Sequence, residues 1–563
     1  MKRLLLICPP FAHWSLSSIA IAQIATFLRC RGVSCEEAYL HLELMRLMGR
    51  ERYGEAIERR RGNAAELLFA EDLHGTLSPA FQEILSVHFG DRAARRNLLE
   101  RFATRCLLRV REAVPDIIGF TTSHNQLMAS LWLARRFKEA GCNATIVFGG
   151  AACSDGMGRA LLRHYPQVDR VVSGFGEMPL LHLCADNPPP CRFIDQPDPM
   201  PFDDLPPPDY HPFLHEAMAA GLAREEIALV VQSARGCWWG EKHHCAFCGV
   251  HRRGLVWEEK PGDRVVVDIR TLFERHRCTI VAADCILSRR HLNEVIPQLA
   301  AFDEKPSIFL ELKVNVTQEQ VKELARARVS AQFGIETLST RLLALLRKGT
   351  TGIRALAVLK WSAERGLLAQ WNLLHGIPGE GKGDYDAQAA IMEWIPHFPP
   401  PRILSPIHFD RYSPYFENPG AFGLSTFRPE ATYKEAHPQL ADTELSQMAW
   451  HFERTDAGPA PEWFPRFHAS FERWQERHER GDGLFLHPRK GLFRRRDGED
   501  AFIHLPPRGE HVLGCTHRLM SLDRLKSETG CDDGLLGAME EEGLLFIEGE
   551  RALNLTVRMA LPD

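Results

Sequence analysis

Short apolar runs separated by amphipathic stretches dominate the first third of the chain. The runs at 4–8, 116–121, 145–148 and 169–172 predict buried strands, and stretches such as 18–29 have the spacing of amphipathic helices. Strands that alternate with helices in this way predict a doubly wound parallel sheet, and therefore an α/β protein. Ligands of such sheets bind at the carboxyl ends of the strands, so we expect a binding site there.

The turns after these runs are small, hydroxylated or rich in glycine. Glycines let a bulky, flat ligand approach the backbone, and hydroxyls offer hydrogen bonds to its rim. We therefore predict a ligand-binding, Rossmann-like domain over 1–187, in which the polar, helical stretch 41–112 is an insertion. The alternative is a sheet that keeps its turns and binds nothing. The candidate binding residues are Pro10, Phe11, Thr121, Thr122, Ser123, Gly149, Gly150, Gly174, Phe175, Gly176 and Glu177.

Proline marks the next boundary. Residues 188–213 contain ten prolines, which disfavour both helix and sheet and predict a stiff, extended linker over 188–225. Strand and helix patterns then return over 226–430, which we take as a second α/β domain. Its predicted strands lie at 227–231, 279–283, 308–316, 331–335, 369–374 and 406–410.

Three cysteines lie close together in the loop that follows the first of these strands. Cys237, Cys245 and Cys248 fall within twelve residues, and thiolates clustered in one loop typically hold zinc or an iron–sulfur centre. A cluster of four irons would leave one iron open to another ligand. The alternative is a closed Cys3His zinc site completed by His243 or His244.

The cysteine loop and three segments after it resemble a known family. The string Cys-Trp-Trp-Gly-Glu-Lys-His-His-Cys-Ala-Phe-Cys-Gly from Cys237 resembles the Cys-x7-Cys-x2-Cys variant of cobalamin-dependent radical SAM enzymes that methylate ribosomally made peptides. Phe-Gly-Ile-Glu-Thr-Leu-Ser at 333–339, Arg-Lys-Gly-Thr-Thr at 347–351 and Trp-Asn-Leu-Leu-His-Gly-Ile-Pro-Gly-Glu at 371–380 resemble that family's motifs. The Gly-Phe-Gly-Glu turn at 174–177 resembles its cobalamin domain.

This resemblance implies a partial (β/α)6 barrel over 226–430 and three cofactors. It implies a [4Fe–4S] cluster on the three cysteines, S-adenosylmethionine (SAM) on the open iron, and cobalamin at the turns of the first domain. The Asp-x-His-x-x-Gly motif is absent, since Asp72-Leu73-His74-Gly75 has the wrong spacing. We therefore expect base-off cobalamin with no histidine below the metal. The SAM-binding residues that the resemblance implies are Phe247, Asp284, Glu311, Glu336, Asn372, Gly376 and Pro378.

The last 133 residues, 431–563, have a different pattern. Helices are predicted at 443–454 and 461–480, and short helices followed by apolar strands suggest a small winged-helix unit with a wing at 548–551. Such a unit either binds the leader of a precursor peptide by strand addition or serves only as structure. The basic residues predicted to form a solvated turn, with contact to an acidic leader as the alternative, are Arg489, Lys490, Arg494, Arg495 and Arg496.

Composition limits the partners and the location. A length of 563 residues predicts three or four domains, and a net charge of −5 argues against a broad nucleic-acid-binding surface. No run of 18 apolar residues and no signal peptide are recognised, so no membrane association is expected. Fifteen scattered cysteines fit a reducing cytoplasm.

The resemblance implies a class B radical SAM C-methyltransferase that acts on an unactivated carbon, with a precursor peptide and an external electron donor as partners. The adenosyl radical would take a hydrogen atom from the substrate, and methylcobalamin would supply the methyl group. Three alternatives remain: a non-methylating outcome such as cyclisation or ring contraction, a small-metabolite substrate, and a cobalamin-sensing regulator that reads DNA with its winged helix. No catalytic residue is assigned.

Overall fold

The computed structural model describes residues 1–58, 64–75, 77–250, 252–456, 458 and 461–559. The chain forms two compact units. The first comprises residues 1–231, 271–279 and 427–453, and the second comprises residues 232–270, 280–426 and 454–563. The domain boundaries drawn from the sequence stay predictions.

The first unit is built around a six-stranded sheet in the order β2-β1-β3-β4-β5-β6, in which all neighbours are parallel. This confirms the predicted α/β class. Strands β1, β3 and β4 are buried because their residues are almost wholly apolar, whereas β6 at one side of the sheet is partly exposed. The strands of residues 1–231 are β1 Leu4–Cys8, β2 Cys35–Tyr39, β3 Ile117–Thr121, β4 Thr145–Gly149, β5 Arg170–Gly174, β6 Phe193–Gln196 and β7 Ala228–Val231. The helices are α1 Ile19–Arg29, α2 Leu40–Met48, α3 Arg50–Glu58, α4 Ala64–His74, α5 Pro79–Phe89, α6 Arg92–Ala113, α7 Leu127–Glu139, α8 Asp155–His164, α9 Glu177–Cys184 and α10 His211–Ala219.

The proline-rich segment is more ordered than the sequence predicts. Its proline-free stretch supplies β6, which pairs with β5, and its last part begins α10 with Pro212 in the first turn, where a missing backbone N–H costs nothing. The prediction of an uninterrupted extended linker is therefore wrong for these two elements.

The second unit begins with the cysteine loop and continues into parallel strands. Within it, β13, β12, β11 and β10 are neighbours in that order and β14 pairs with β15, all in parallel. Strand 369–374 of the prediction is interrupted at Trp371. The strands of residues 232–426 are β8 Ala234–Arg235, β9 Glu258–Glu259, β10 Thr279–Ala282, β11 Ile308–Leu312, β12 Val329–Phe333, β13 Leu368–Gln370, β14 Asn372–His375, β15 Ile403–Pro406 and β16 Phe409–Asp410. The helices are α11 Gly262–His276, α12 Arg289–Ala300, α13 Gln318–Arg326, α14 Thr340–Leu345, α15 Gly352–Arg365, α16 Lys382–Trp394 and α17 Pro414–Glu417.

The C-terminal part contains a sheet that the sequence did not predict. β21, β20, β19 and β25 are neighbours in that order, so Arg494, Arg495 and Arg496 lie on a strand and not in a turn. The predicted helix 443–454 is also wrong over its second half, which is β18. The strands of residues 427–563 are β17 Phe427–Pro429, β18 His451–Arg454, β19 Gly483–His487, β20 Gly491–Arg496, β21 Glu499–Phe502, β22 Met520–Ser521, β23 Leu545–Glu548, β24 Arg551–Asn554 and β25 Val557–Arg558. The helices are α18 Ala431–Ala436, α19 Asp442–Met448, α20 Phe464–Glu479, α21 Gly509–Cys515, α22 Leu522–Thr529 and α23 Asp533–Glu541.

The winged-helix pattern agrees with the structure. β22, β24 and β23 form a small antiparallel sheet beside α21, α22 and α23, and one apolar cluster that includes Leu513, Leu525 and Leu536 joins these elements to β19 and β20. The tip of the predicted wing, Glu548, contacts the second unit's barrel: it accepts hydrogen bonds from the Thr340 hydroxyl (2.6 Å) and the Ile353 amide (3.1 Å). In the part of the chain that the structure describes, no helix is long and apolar enough to cross a membrane.

Candidate functional site

The cysteine loop runs between β8 and β9 and starts with a helical turn. Backbone hydrogen bonds from Glu241 to Cys237 (2.8 Å) and from His244 to Gly240 (3.0 Å) wind this turn. The turn shortens the path of the chain, so seven residues between the first two cysteines do not carry Cys245 far from Cys237. The longer spacing is therefore compatible with three thiols in one place.

The three thiols form no disulfide and are all partly exposed. Burial, with a smaller contribution from the neighbouring thiols of Cys245 and Cys237, raises the pKa of Cys248 to about 12. Burial also raises the pKa of Cys245, whereas Lys348 and Lys313 lower it. Each thiol thus lies within electrostatic range of the others, with two ammonium groups beside them that favour thiolates.

The turn at 347–349 packs against the cysteine loop. Trp239 donates its indole N–H to the Arg347 carbonyl oxygen (3.1 Å), and Ala246 donates its backbone N–H to Leu346 (3.0 Å). Gly349 has a φ of +60°, and a Cβ there would lie 2.0 Å from the Trp239 ring. Only glycine fits both the left-handed backbone and the ring above it.

Asp284 fixes the start of the cysteine loop. Its carboxylate is 5% exposed and accepts hydrogen bonds from the backbone N–H groups of Ser233 (2.9 Å) and Ala234 (3.0 Å) and from the Ser233 hydroxyl. His291 lies 3.3 Å from the same hydroxyl and 2.8 Å from the Lys260 carbonyl oxygen. Burial raises the pKa of Asp284, while these hydrogen bonds oppose the rise. The contacts of Asp284 therefore orient the loop.

The other acids and lysines form a charged cluster next to the thiols. Lys348 donates to Glu336 (3.0 Å), and its pKa is raised because Glu336 and the thiols outweigh the opposing effect of burial. Burial and the charges of Glu336 and Asp284 raise the pKa of Glu311 to about 7. Lys313 donates to the Lys348 carbonyl oxygen (2.6 Å) and lies 2.9 Å from the centre of the Trp239 ring.

The remaining predicted SAM residues lie around this cluster or along β14. The Phe247 ring is 5.7 Å from the Lys348 ammonium nitrogen. Asn372 begins β14, and Gly376 and Pro378 follow its carboxyl end, where Gly376 has a φ of +76° and is exposed. Exposed glycine backbone at the end of a parallel strand fits an approaching ligand, as expected for SAM.

The two histidines of the loop contact other groups. His244 Nε2 lies 2.9 Å from the Cys248 carbonyl oxygen, and the His243 ring centre lies 4.1 Å from that of Trp239. Among the described residues, no three His, Cys, Asp or Glu side chains are arranged as the ligands of one metal ion. The thiolates of a four-iron cluster bind different irons, so three free thiols in electrostatic range of one another, with cations beside them, fit a cluster's donor set.

In the first unit, the candidate cobalamin residues end or directly follow β1, β3, β4 and β5. They therefore lie together at the carboxyl ends of the parallel strands, which we call the carboxyl edge of the sheet. Four of them, Pro10, Phe11, Thr122 and Glu177, are buried. The Phe11 ring is 3% exposed and packs on Tyr53, with 5.2 Å between ring centres, in the 41–112 insertion. Thr122 is 1% exposed and donates its hydroxyl to the Gly149 carbonyl oxygen (2.8 Å). Both side chains therefore contribute to packing, and any contact with a ligand would need their backbone.

Two glycines at this end of the sheet are open to solvent. Gly150 and Gly174 are exposed with φ values of +99° and +92°, yet a Cβ at either would collide with neighbouring backbone at 2.5 Å or less. These two glycines are thus required by the fold as well. Ser123 donates to Gln126 (2.9 Å), and Glu177 is buried at the start of α9. Pro10, Thr121, Phe175 and Gly176 complete the edge, which offers exposed backbone to a flat ligand such as a corrin.

Sequence reasoning missed the contacts made by the insertion and by Lys348. Glu66 of α4 accepts a hydrogen bond from the Met128 amide (2.9 Å) at the start of α7, and burial raises its pKa to about 8. Asp72 accepts a hydrogen bond from the Trp132 indole (2.7 Å), so the Asp72-Leu73-His74 string is part of this packing. The Arg-Lys-Gly-Thr-Thr motif at 347–351 was the one sequence signal that included Lys348.

Comparisons with known proteins agree with this architecture. No family model matches the chain. An uncharacterised methyltransferase of Pyrococcus horikoshii, PH0819, is 22% identical over 315 residues, which cover 48% of this chain and 63% of that protein. The chain therefore matches less than two thirds of that relative's length.

Two solved structures share the fold. OxsB, a cobalamin-dependent SAM radical enzyme solved with aqua-cobalamin and SAM bound, has a TM-score of 0.56 at 11% identity and covers 85% of this chain and 72% of its own. TsrM of Kitasatospora setae, a radical SAM methyltransferase solved with tryptophan and a SAM analogue, has a TM-score of 0.53 at 14% identity and covers 84% of this chain and 89% of its own. The chain thus has the multidomain α/β fold seen in cobalamin-dependent radical SAM enzymes.

Proposed function

We propose that this protein is a radical SAM enzyme that holds a [4Fe–4S] cluster on Cys237, Cys245 and Cys248 and uses base-off cobalamin to methylate an unactivated carbon of a ribosomally made peptide. The observation that carries the proposal is the grouping of three free thiols in the loop after β8, within a fold shared with OxsB and TsrM. When bound, the cluster and SAM supply a radical, and cobalamin supplies the methyl group.

The chain's own residues supply geometry and charge. Asp284 anchors the first residues of the cysteine loop through Ser233 and Ala234. Lys348 places positive charge beside Cys245, which favours the thiolate form that binds iron, and Lys313, whose pKa burial lowers to about 7, adds to this effect in its protonated form. Neither the hydrogen-atom transfer nor the methyl transfer requires an acid–base pair, so positioning and exclusion of water are the protein's main contributions. An external electron donor completes the reaction.

Two alternatives keep the same cofactors. A small-metabolite substrate is favoured by the tryptophan in the TsrM structure, and a non-methylating outcome such as cyclisation or ring contraction would use the same cofactors. A DNA-reading regulator is disfavoured, because the tip of its wing, Glu548, is bonded to Thr340 and Ile353.

The first experiment tests the cluster. After anaerobic reconstitution with iron and sulfide, we expect an absorbance band near roughly 400 nm, typical of thiolate-bound iron–sulfur centres. Cys245→Ala should lose the band, whereas Cys515→Ala, which changes a partly exposed thiol outside the loop, should keep it. Retention of the band in Cys245→Ala, or a colourless protein that binds zinc, would refute the cluster.

The second experiment tests the reaction. Anaerobic incubation with SAM, cobalamin and a reductant, followed by mass analysis, should yield 5′-deoxyadenosine and S-adenosylhomocysteine together. Formation of 5′-deoxyadenosine alone would favour the non-methylating alternative. A candidate substrate should gain the mass of one methylene, and turnover that survives deletion of residues 495–563 would favour a small metabolite over a peptide.

A further inference from the structure

A groove of about 470 Å³ lies in the second unit between the barrel and the C-terminal domain. Its walls come from the segment after β11, from α15, and from the segments at β22 and β24. This volume is in the usual range of ligand sites. The residues that matter for its chemistry are Val316, Arg354, Trp361, Arg518, Leu519 and Arg551.

The groove carries uncompensated positive charge. Arg354, Arg518 and Arg551 come from three different segments, and none of their guanidinium groups forms an ion pair with a carboxylate among the described residues. The one carboxylate among the described lining residues, Glu319, is paired with Lys322 at 2.7 Å. Three guanidinium groups that face one groove without counter-ions favour an anionic ligand.

The positive charge of the groove is carried by guanidinium groups and not by a free helix N-terminus. This favours carboxylates over a phosphate bound at a helix end. The first amides of α15 are already used, since Gly352 donates to Thr340 (2.7 Å) and Ile353 donates to Glu548 (3.1 Å). The anion must therefore be held by guanidinium groups, whose planar forks bind carboxylates and phosphates through paired hydrogen bonds. Of these two anions, an unmodified peptide substrate supplies the carboxylate. Leu519 offers an apolar surface beside them, next to the buried side chains of Val316 and Trp361, which are 5% and 6% exposed.

We propose that this groove binds an acidic segment of the peptide substrate, in which Asp or Glu residues alternate with apolar ones. This inference rests on the proposed function and specifies its substrate. The groove begins at Val314, one residue beyond Lys313, whose ammonium group lies against Trp239 of the cysteine loop. A peptide held in the groove is thus anchored beside the residues that flank the thiols.

The test is a binding measurement on the full-length chain. A random peptide library displayed on phage is selected on the wild-type protein, and the enriched peptides are labelled and titrated by fluorescence anisotropy. We expect enrichment of Asp and Glu, and a loss of affinity of at least about tenfold in Arg518→Glu/Arg551→Glu, because charge reversal makes the contacts repulsive. Arg496→Glu changes an exposed arginine outside the groove and should bind as wild type does.

Three results would overturn the inference: selected peptides without acidic enrichment, equal affinity for the double variant, or displacement of the peptide by excess inorganic phosphate, which would reassign the groove to small anions. Circular dichroism and thermal unfolding check that the double variant is folded, which is expected because both arginines are exposed.

The binding measurement is made without the cluster and without SAM. If the protein binds the peptide but does not turn over, only the proposed function is therefore refuted. If the protein turns over but the groove does not bind the peptide, only the inference about the groove is refuted.

Discussion

The Lys348 ammonium nitrogen lies 3.0 Å from a carboxylate oxygen of Glu336. The two residues come from different segments of the barrel, the turn before α15 and the segment after β12, and Lys348 also acts on the Cys245 thiol. The pair therefore links the acidic end of the barrel strands to the cysteine loop. The positive charge of Lys348 should therefore influence the reduction potential of the centre that the thiols hold.

Replacing Lys348 by Met should make the reduction potential of the reconstituted centre more negative. A positive charge stabilises the reduced, more negative centre, and one unit charge at about 10 Å in an effective dielectric of about 20 is worth on the order of 50 to 100 mV. The measurement is a potentiometric titration followed by electron paramagnetic resonance. Lys348→Arg should keep the potential, as should Lys322→Met, which breaks a surface pair. An unchanged potential in Lys348→Met would contradict the prediction.

Gly349 and Gly366 allow backbone strain to be separated from packing on the cysteine loop. Their φ values are +60° and +63°, but a Cβ at Gly349 would meet the Trp239 ring at 2.0 Å, whereas a Cβ at Gly366 would have no heavy atom within 4 Å. Both alanine variants should lose about 1 kcal/mol of unfolding free energy through left-handed strain. Gly349→Ala should lose roughly 1–3 kcal/mol more and should incorporate less iron. Equal iron content in both variants would argue that Trp239 does not support the cluster loop.

Glu548→Ala should loosen the C-terminal domain from the barrel. The variant removes the hydrogen bonds from Thr340 and Ile353 and a negative charge at the start of α15, which together are worth about 1–2 kcal/mol. Hydrogen exchange at the first turn of α15 should increase. Glu550→Ala, on the exposed side of the same hairpin, serves as the control and should leave the exchange rate unchanged.

Acid should destabilise the second unit through His397. Burial lowers the pKa of His397 to about 3, below the ordinary value of 6.5, so between pH 6.5 and 3 the unfolded chain binds a proton that the folded chain excludes. The free energy of unfolding therefore falls as pH falls through this window, by about 1.4 kcal/mol at pH 5.5 for one such group. His397→Gln keeps a donor for the Leu555 carbonyl oxygen and should reduce the difference between urea midpoints at pH 7.5 and 5.5. An unchanged difference would exclude His397 as a source of the acid sensitivity.

Local pattern was sufficient for much of the fold. The apolar runs of β1, β3, β4 and β5 lie within one or two residues of the predicted strands, because strands buried on both faces must be apolar throughout. Strands β20 and β21 were missed, since the arginines of β20 follow its two buried apolar residues without alternation, and β21 is exposed and carries two acids. β6 was missed because the prolines around it dominate the composition of its segment.

The sequence by itself determined which residues are chemically capable: three thiols in one loop, polar residues after the barrel strands, and glycines after the strands of the first sheet. Only the tertiary structure decided their partners, because contacts such as Lys348 with Glu336, Asp284 with Ser233, and Phe11 with Tyr53 depend on how separate segments pack. Side-chain type is a local property that can be read from the chain. The distance between two side chains is set by the packing of all the elements that carry them.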